Sequence, residues 1–219
     1  MSDAGRAIAP LIDHTLLKPD ATRAQIDELC FEARNYGFAS VCILPFWLPL
    51  VAEELTGSPV KPCTVVGFPL GGCVTEAKVC EAHYAVLCGA KEIDMVIAIP
   101  AMKNKRYKAV SGDIAAVVRI AGKDIIVKVI LETCLLTDEE KRTACKIAAD
   151  AGASFVKTST GFSTGGATEK DVQLMRLAAP DHVGVKASGG IRTQAVAQAM
   201  IKAGANRLGT SASVAIVTS

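Results

Sequence analysis

The chain predicts an α/β fold, a compact single-domain (β/α)8 TIM barrel spanning residues 1–219. Three observations predict it. Short, near-continuous apolar runs alternate with helical stretches, as parallel strands buried on both faces require. A Gly-Ala pair stands before a strand-like run at 89–90, 152–153 and 204–205. Lys128, Lys157 and Lys186 follow one another at intervals of 29 residues, close to the average of about 27 that eight equal units give a chain of 219. Strands joined through helices form right-handed parallel units, and eight of them close into a barrel near the lower size limit of ~200 residues. A doubly wound open sheet is the competing arrangement, but no Gly-x-Gly-x-x-Gly follows the first strand. No linker or low-complexity stretch divides the chain.

The strand runs lie at 11–14, 40–44, 63–67, 92–97, 125–130, 154–157, 183–186 and 207–209. Thr22 with Gln25, and Thr137 with Glu140, have the spacing of capping boxes and open two helices. Thr75, Thr168 and Thr193 are further N-caps by residue type. Gly37, Gly89, Gly122, Gly152 and Gly204 stand where helices end in the left-handed conformation. In the helical segment 102–121, Val110, Ile114, Val117 and Val118 recur on one face.

Composition narrows the functional classes. Half of the residues are hydrophobic and the net charge is +2, so the chain carries no electrostatic footprint for nucleic acid or a membrane surface. No apolar run approaches the ~20 residues of a membrane span. Residues 1–10 lack the apolar stretch of a secretory signal, and the expected compartment is the cytoplasm. Eight cysteines in a chain with this much core read as reduced thiols, mostly core filler, rather than as a disulfide framework. With no Cys-x-x-Cys and three scattered histidines, no metal site is expected.

The lysines carry the chemistry. Lys128 lies inside Ile-Ile-Val-Lys-Val-Ile, Lys157 follows Ser-Phe-Val, and Lys186 follows Val-Gly-Val. A buried ammonium is costly unless paired. Each lysine could reach solvent from a strand end. Three at one period instead point to equivalent places in successive units, clustered at the barrel mouth. There each ammonium disfavours protonation of the next, which favours a neutral, nucleophilic amine able to form a Schiff base. The pattern does not say which lysine attacks. Asp94, inside Ile-Asp-Met-Val-Ile, is the matching acid, either a proton shuttle or an ion-pair partner of Lys128. Asp13 belongs to the same cavity, and His14 reads as a structural polar residue. Ser188-Gly189-Gly190 and Gly209-Thr210-Ser211 follow the last two strands, where barrels of this kind hold phosphate on backbone N–H groups; Thr160-Gly161 adds to them. Taken singly, each glycine is also consistent with a tight turn.

These residues fall within longer motifs. Ile12-Asp13-His14-Thr15-Leu16-Leu17-Lys18-Pro19, Val65-Val66-Gly67-Phe68-Pro69-Leu70-Gly71, Glu92-Ile93-Asp94-Met95-Val96-Ile97, Val156-Lys157-Thr158-Ser159-Thr160-Gly161-Phe162 and Val185-Lys186-Ala187-Ser188-Gly189-Gly190-Ile191-Arg192 resemble the motifs of the deoxyribose-phosphate aldolase family, over about residues 12–217. The resemblance implies a class I aldolase without metal or other cofactor, cleaving 2-deoxy-D-ribose 5-phosphate reversibly to glyceraldehyde 3-phosphate and acetaldehyde. It makes Lys157 the Schiff-base lysine, Lys186 the neighbour that lowers its pKa and Asp94 the proton shuttle. It places Gly161, Gly189, Gly190, Gly209 and Ser211 around the phosphate, with Asp13, Cys42, Lys128 and Thr158 in support, and it implies a homodimer. The chain departs from the family pattern at Leu44 and Ala98, where the motifs usually carry Asn, and at Ala212-Ser213, where they read Ser-Gly. Cys42 is near enough to the site to meet an aldehyde product, or is an inert buried thiol. Two other functions suit the same residues: an isomerase-like phosphosugar barrel with purely electrostatic lysines, and a non-catalytic phosphosugar-binding barrel.

Overall fold

The computed structural model describes residues 1–219. Eight parallel strands close in sequence order: β1 (Ile12–Leu16), β2 (Ser40–Ile43), β3 (Lys61–Val66), β4 (Glu92–Val96), β5 (Ile126–Ile130), β6 (Phe155–Lys157), β7 (Gly184–Ser188) and β8 (Arg207–Thr210), the last pairing with the first. Around them run α1 (Asp3–Ile8), α2 (Arg23–Tyr36), α3 (Leu48–Glu54), α4 (Thr75–Leu87), α5 (Ile99–Lys103), α6 (Tyr107–Ala121), α7 (Asp138–Asp150), α8 (Glu169–Ala178), α9 (Gln194–Lys202) and α10 (Ser213–Thr218). All eight expected strands form, and they make the closed barrel rather than an open sheet. No helix is long and apolar enough to cross a membrane.

The apolar core, a cluster of 49 buried residues, lies mainly between the outward face of the strands and the helices. Val110, Ile114 and Val117 of α6 belong to it, while Val118 packs at its edge. The inward face is different. Strand register places Asp94 beside Lys128, Lys157 beside Lys186, and Lys186 beside Arg207. Lys157 pairs with Ile130, whereas Lys128 pairs with Phe155. The equal spacing of three lysines therefore does not give three equivalent places. Lys128 lies two residues lower on its strand, in the layer of side chains beneath the other two.

Both capping boxes form: Gln25 Oε1 accepts from Thr22 N at 2.9 Å, and Glu140 Oε2 from Thr137 N at 2.8 Å. The Thr168 and Thr193 hydroxyls accept from Asp171 N and Val196 N. Thr75 differs from its expected role. Val74 holds the N-cap position of α4, and the Thr75 hydroxyl donates to Asp113 Oδ1 at 2.9 Å. Gly37 closes α2 in the left-handed region, whereas Gly122 pairs its positive φ with an extended ψ of −162°. The segment expected to form one helix from 102 breaks at 104–106, where Lys105 adopts φ 55°, and α6 begins at Tyr107. His14 is structural, as expected: Nδ1 meets Ser213 Oγ at 2.7 Å and Nε2 meets Glu32 Oε2 at 2.7 Å, joining β1 to α10 and α2. Burial lowers its pKa, against the pull of Glu32.

The eight cysteines are all unpaired, but only Cys30, Cys42, Cys63 and Cys145 are core residues. Cys88 is half-buried and Cys73, Cys80 and Cys134 are exposed, so core filler describes half of them. The exposed ones lie in loops and on the solvent side of α4, where a small side chain is tolerated without packing.

A second buried pair, outside the barrel, braces the C-terminal end of β4. Lys78, fully buried in α4, donates to Asp113 Oδ2 at 2.6 Å and to the carbonyl of Val96 at 2.8 Å. Removing one member of such a pair strands a buried charge, so Lys78→Ala should cost about 3–5 kcal/mol in urea unfolding. The double variant Lys78→Met/Asp113→Leu should recover most of that loss; equal stability of the single variant and the parent would contradict the bracing role.

Candidate active site

Strand order brings seven ionisable side chains from six strands into the barrel. Asp94 lies at the centre. Its Oδ1 accepts from Lys128 Nζ at 2.8 Å, and its Oδ2 accepts from both Lys157 Nζ at 2.7 Å and Lys186 Nζ at 2.8 Å. Asp13 also bonds Lys186, and it meets Lys128 Nζ at 3.3 Å and Arg207 Nη1 at 2.7 Å. Glu92 closes the lower layer against Lys128 at 2.5 Å and Arg207 at 3.1 Å. The Arg207 guanidinium lies 5.5 Å from the centre of the Phe155 ring. Four cations thus face three carboxylates, with every member except the partly buried Arg207 essentially inaccessible to water. None of the three strand lysines escapes to solvent.

The field of this network is strong. Burial alone would raise the pKa of Asp94, but Lys128, Lys157 and Lys186 reverse it and hold the carboxyl well below the usual range. Asp13 behaves alike under Lys128, Lys186 and Arg207. Burial works against the Lys186 ammonium, yet Asp13 and Asp94 raise its pKa above the ordinary lysine value. Lys128 is raised in the same way by Asp13 and Asp94. The Cys63 thiol, raised by burial and by the Asp94 charge, lies 3.5 Å from Asp94 Oδ1. Cys42 Sγ, Cys63 Sγ and an Asp94 oxygen lie within 4.8 Å of one another. The Lys128 ammonium contacts two of these three groups, with Nζ 3.4 Å from Cys63 Sγ and 2.8 Å from Asp94 Oδ1.

Above the network, at the C-terminal ends of the strands, opens a cavity of about 310 Å³. Of the seven ionisable residues only Lys157 lines it. Asp94, Lys186, Asp13 and Lys128 lie beneath, and Cys42, fully buried, does not reach it either. The expected loop residues Gly161, Gly189, Gly190, Gly209 and Ser211 all form its wall. Gly209 is required by close approach: a Cβ there would lie 3.0 Å from Lys186 Cε and from Ser188 Cβ. Thr158 stands behind the wall, where its hydroxyl donates to Ser188 O and accepts from Ser188 N, each at 3.0 Å, stitching β6 to β7. Phe162 packs edge-on against Phe68, ring centres 5.3 Å apart, at the cavity's outer side.

Sequence reasoning missed several contributors. Lys18 and Arg192 line the cavity as its only cations besides Lys157, and Thr15 adds a hydroxyl to those of Thr160 and Ser188, which the loop motifs had already pointed to. Lys18 and Arg192 stood immediately after the first strand and the Gly-Gly pair, where loops face the cavity. Glu92 and Arg207 were legible by alternation, each two residues before an inward position. Glu132 beyond β5, buried against Thr160, carried no signal of its own. The departures at Leu44, Ala98 and Ala212-Ser213 fall outside the cavity wall. Leu44 packs on Leu17, Cys42, Cys63 and Val65; Ala98 borders a separate shallow pocket; Ser213 is buried against His14.

Known proteins resemble this chain along nearly its whole length. A family model described as DeoC/LacD family aldolase matches residues 7–217. A deoxyribose-phosphate aldolase of Brevibacillus brevis is 58% identical over 207 residues, covering 94% of this chain and 93% of its own length. One from Clostridium tetani is 57% identical over 210 residues, covering 96% and 97%. Among solved structures, one described as a unique tetrameric structure of deoxyribose phosphate aldolase from Aeropyrum pernix superposes with a TM-score of 0.92 at 35% identity, over 98% of this chain and 91% of that one. An aldolase named QR15 gives a TM-score of 0.91 at 38% identity, over 100% and 96%. The family model and these relatives cover nearly the whole chain, which belongs to the DeoC/LacD aldolase family.

Proposed function

We propose that the chain is a class I aldolase that reversibly cleaves 2-deoxy-D-ribose 5-phosphate to D-glyceraldehyde 3-phosphate and acetaldehyde, in deoxyribose phosphate catabolism, through a Schiff base at Lys157. The observation that carries this reading is the meeting of Lys157 and Lys186 on one oxygen of Asp94, at the floor of a cavity walled by glycine and hydroxyl loops. When all seven groups are ionised the network holds one positive charge in excess. Loss of a proton from the amine that faces the cavity brings it to neutrality. Lys186, kept protonated by Asp13 and Asp94, is the fixed cation beside that amine.

The free amine adds to the C1 aldehyde of the open-chain sugar phosphate. The resulting carbinolamine loses water to give an iminium ion. The C3 hydroxyl then loses its proton, the C2–C3 bond breaks and glyceraldehyde 3-phosphate departs, while the bond's electron pair forms an enamine on Lys157. Protonation of the enamine at carbon and hydrolysis release acetaldehyde and restore the amine. Asp94 lies within reach of the Lys157 amine and serves as the proton carrier. The phosphate lies against the backbone of the loops after β6, β7 and β8, with Lys18 and Arg192 at the rim. The covalent lysine supplies the chemistry, and the reading includes no metal or other cofactor. It also carries a cytoplasmic homodimer, for which sedimentation should return the mass of two chains.

Sodium borohydride added with substrate should fix an adduct on Lys157, located by intact mass and peptide mapping. Lys157→Ala should lose the adduct and at least about a thousandfold of kcat. An unshifted mass, or normal turnover by Lys157→Ala, would leave the lysines a purely electrostatic role.

Lys186→Met removes one of the two ammonium groups on Asp94 Oδ2, so kcat should fall at least about a hundredfold while borohydride still traps substrate on Lys157. Unchanged turnover in Lys186→Met would remove Lys186 from the mechanism.

A further inference from the structure

Glu132 takes no part in the chemistry above, yet it is among the least comfortably housed residues in the fold. It lies two residues beyond β5, is 2% exposed and adopts φ 56°, a left-handed conformation that non-glycine residues rarely take. No lysine, arginine or histidine pairs with its carboxylate. Its partners are neutral donors: Thr160 N lies 3.3 Å from both Oε1 and Oε2, the Thr160 hydroxyl donates to Oε2, and the Cys134 thiol stands 3.9 Å from Oε1. A buried carboxylate without a cation and a left-handed backbone are each unfavourable, and here they coincide.

What they hold in place is the chain that leaves the reactive strand. The β5–β6 ladder continues past both strand ends, with Leu131 N donating to Lys157 O at 2.9 Å and Thr133 N to Thr158 O at 3.0 Å. Glu132 sits between these two bonds, and its carboxylate reaches on to Thr160. Thr160 Oγ1 in turn accepts from Phe162 N at 3.0 Å. The donors of Thr160 are thereby directed to Glu132, and Gly161, between the two anchored residues, forms part of the cavity wall.

We propose that Glu132 is a positioning residue that sets the turn 160–162 and so fixes the anionic end of the substrate relative to Lys157. The inference rests on the phosphosugar reading of the cavity. It makes affinity for the phosphorylated end, rather than the bond-breaking step, the quantity that Glu132 controls.

Two variants separate the side chain from the backbone. Glu132→Gln keeps the shape but replaces one acceptor by an amide donor facing Thr160 N. Glu132→Gly suits the left-handed backbone and removes the carboxylate. Both should raise KM for 2-deoxyribose 5-phosphate about tenfold while kcat changes less than about threefold, and kcat/KM for unphosphorylated 2-deoxyribose should stay within about threefold. Inhibition by inorganic phosphate should weaken by the same factor as KM. Adding Thr160→Val to Glu132→Gln should cost little more than Thr160→Val alone, because both act through one contact. Equal losses on the two sugars, or an unchanged KM in both variants, would overturn the inference. If the parent enzyme forms no borohydride adduct, the aldolase reading itself falls. If the parent traps and turns over but the variants show no split between the sugars, only the role of Glu132 falls.

Discussion

Everything at the centre of this barrel depends on the compensation of buried charge around Asp94. Barrel interiors are ordinarily filled by branched apolar side chains. Here three carboxylates and four cations take that place, and the apolar core lies outside the strands. Lys128 is the element that makes the arrangement stable. It touches Asp13, Glu92 and Asp94, and so ties the lower layer to the upper one. With four cations against three carboxylates, removing any carboxylate leaves two positive charges uncompensated in a region that water does not reach. The pairing that keeps Asp94 and Lys186 in their charged forms is also what holds the interior together.

The layering explains why one lysine meets the cavity and two do not. Lys186 is level with Lys157 in register, but Gly209 lies close against its stem and Asp13 draws its ammonium inward. Lys128 belongs to the layer below. The same network therefore contains an accessible amine, a fixed cation beside it and a structural cation beneath, distinguished only by height in the barrel and by the carboxylates each one touches.

Much of this was legible in the sequence, because buried parallel strands and glycine loops write themselves as local patterns. The eight strands, the capping boxes and the cavity-lining glycines are all local features. Register is not. Equal spacing made Lys128 look equivalent to Lys157 and Lys186, while the stagger of neighbouring strands set it one layer down. Alternation points Glu92 and Arg207 inward, but they lie at the first residues of their strands, where a charge ordinarily reads as solvated. Glu132 lies outside any strand, and its importance rests on a partner 28 residues away. Thr75 and the break at 104–106 were missed for a similar reason, since distant packing against Asp113 and the turn at Lys105 decided them.

The Asp13–Lys186 pair joins residues 173 positions apart, across the seam where β8 closes on β1. Neither a half-barrel nor a chain lacking its first strand can supply both partners. The charge network therefore has no partly assembled version, and the seam's closure is shared by the barrel and the ion pairs inside it. Catalytic output is then a direct reporter of global cooperativity: a chain that has lost its seam has lost its site in the same event.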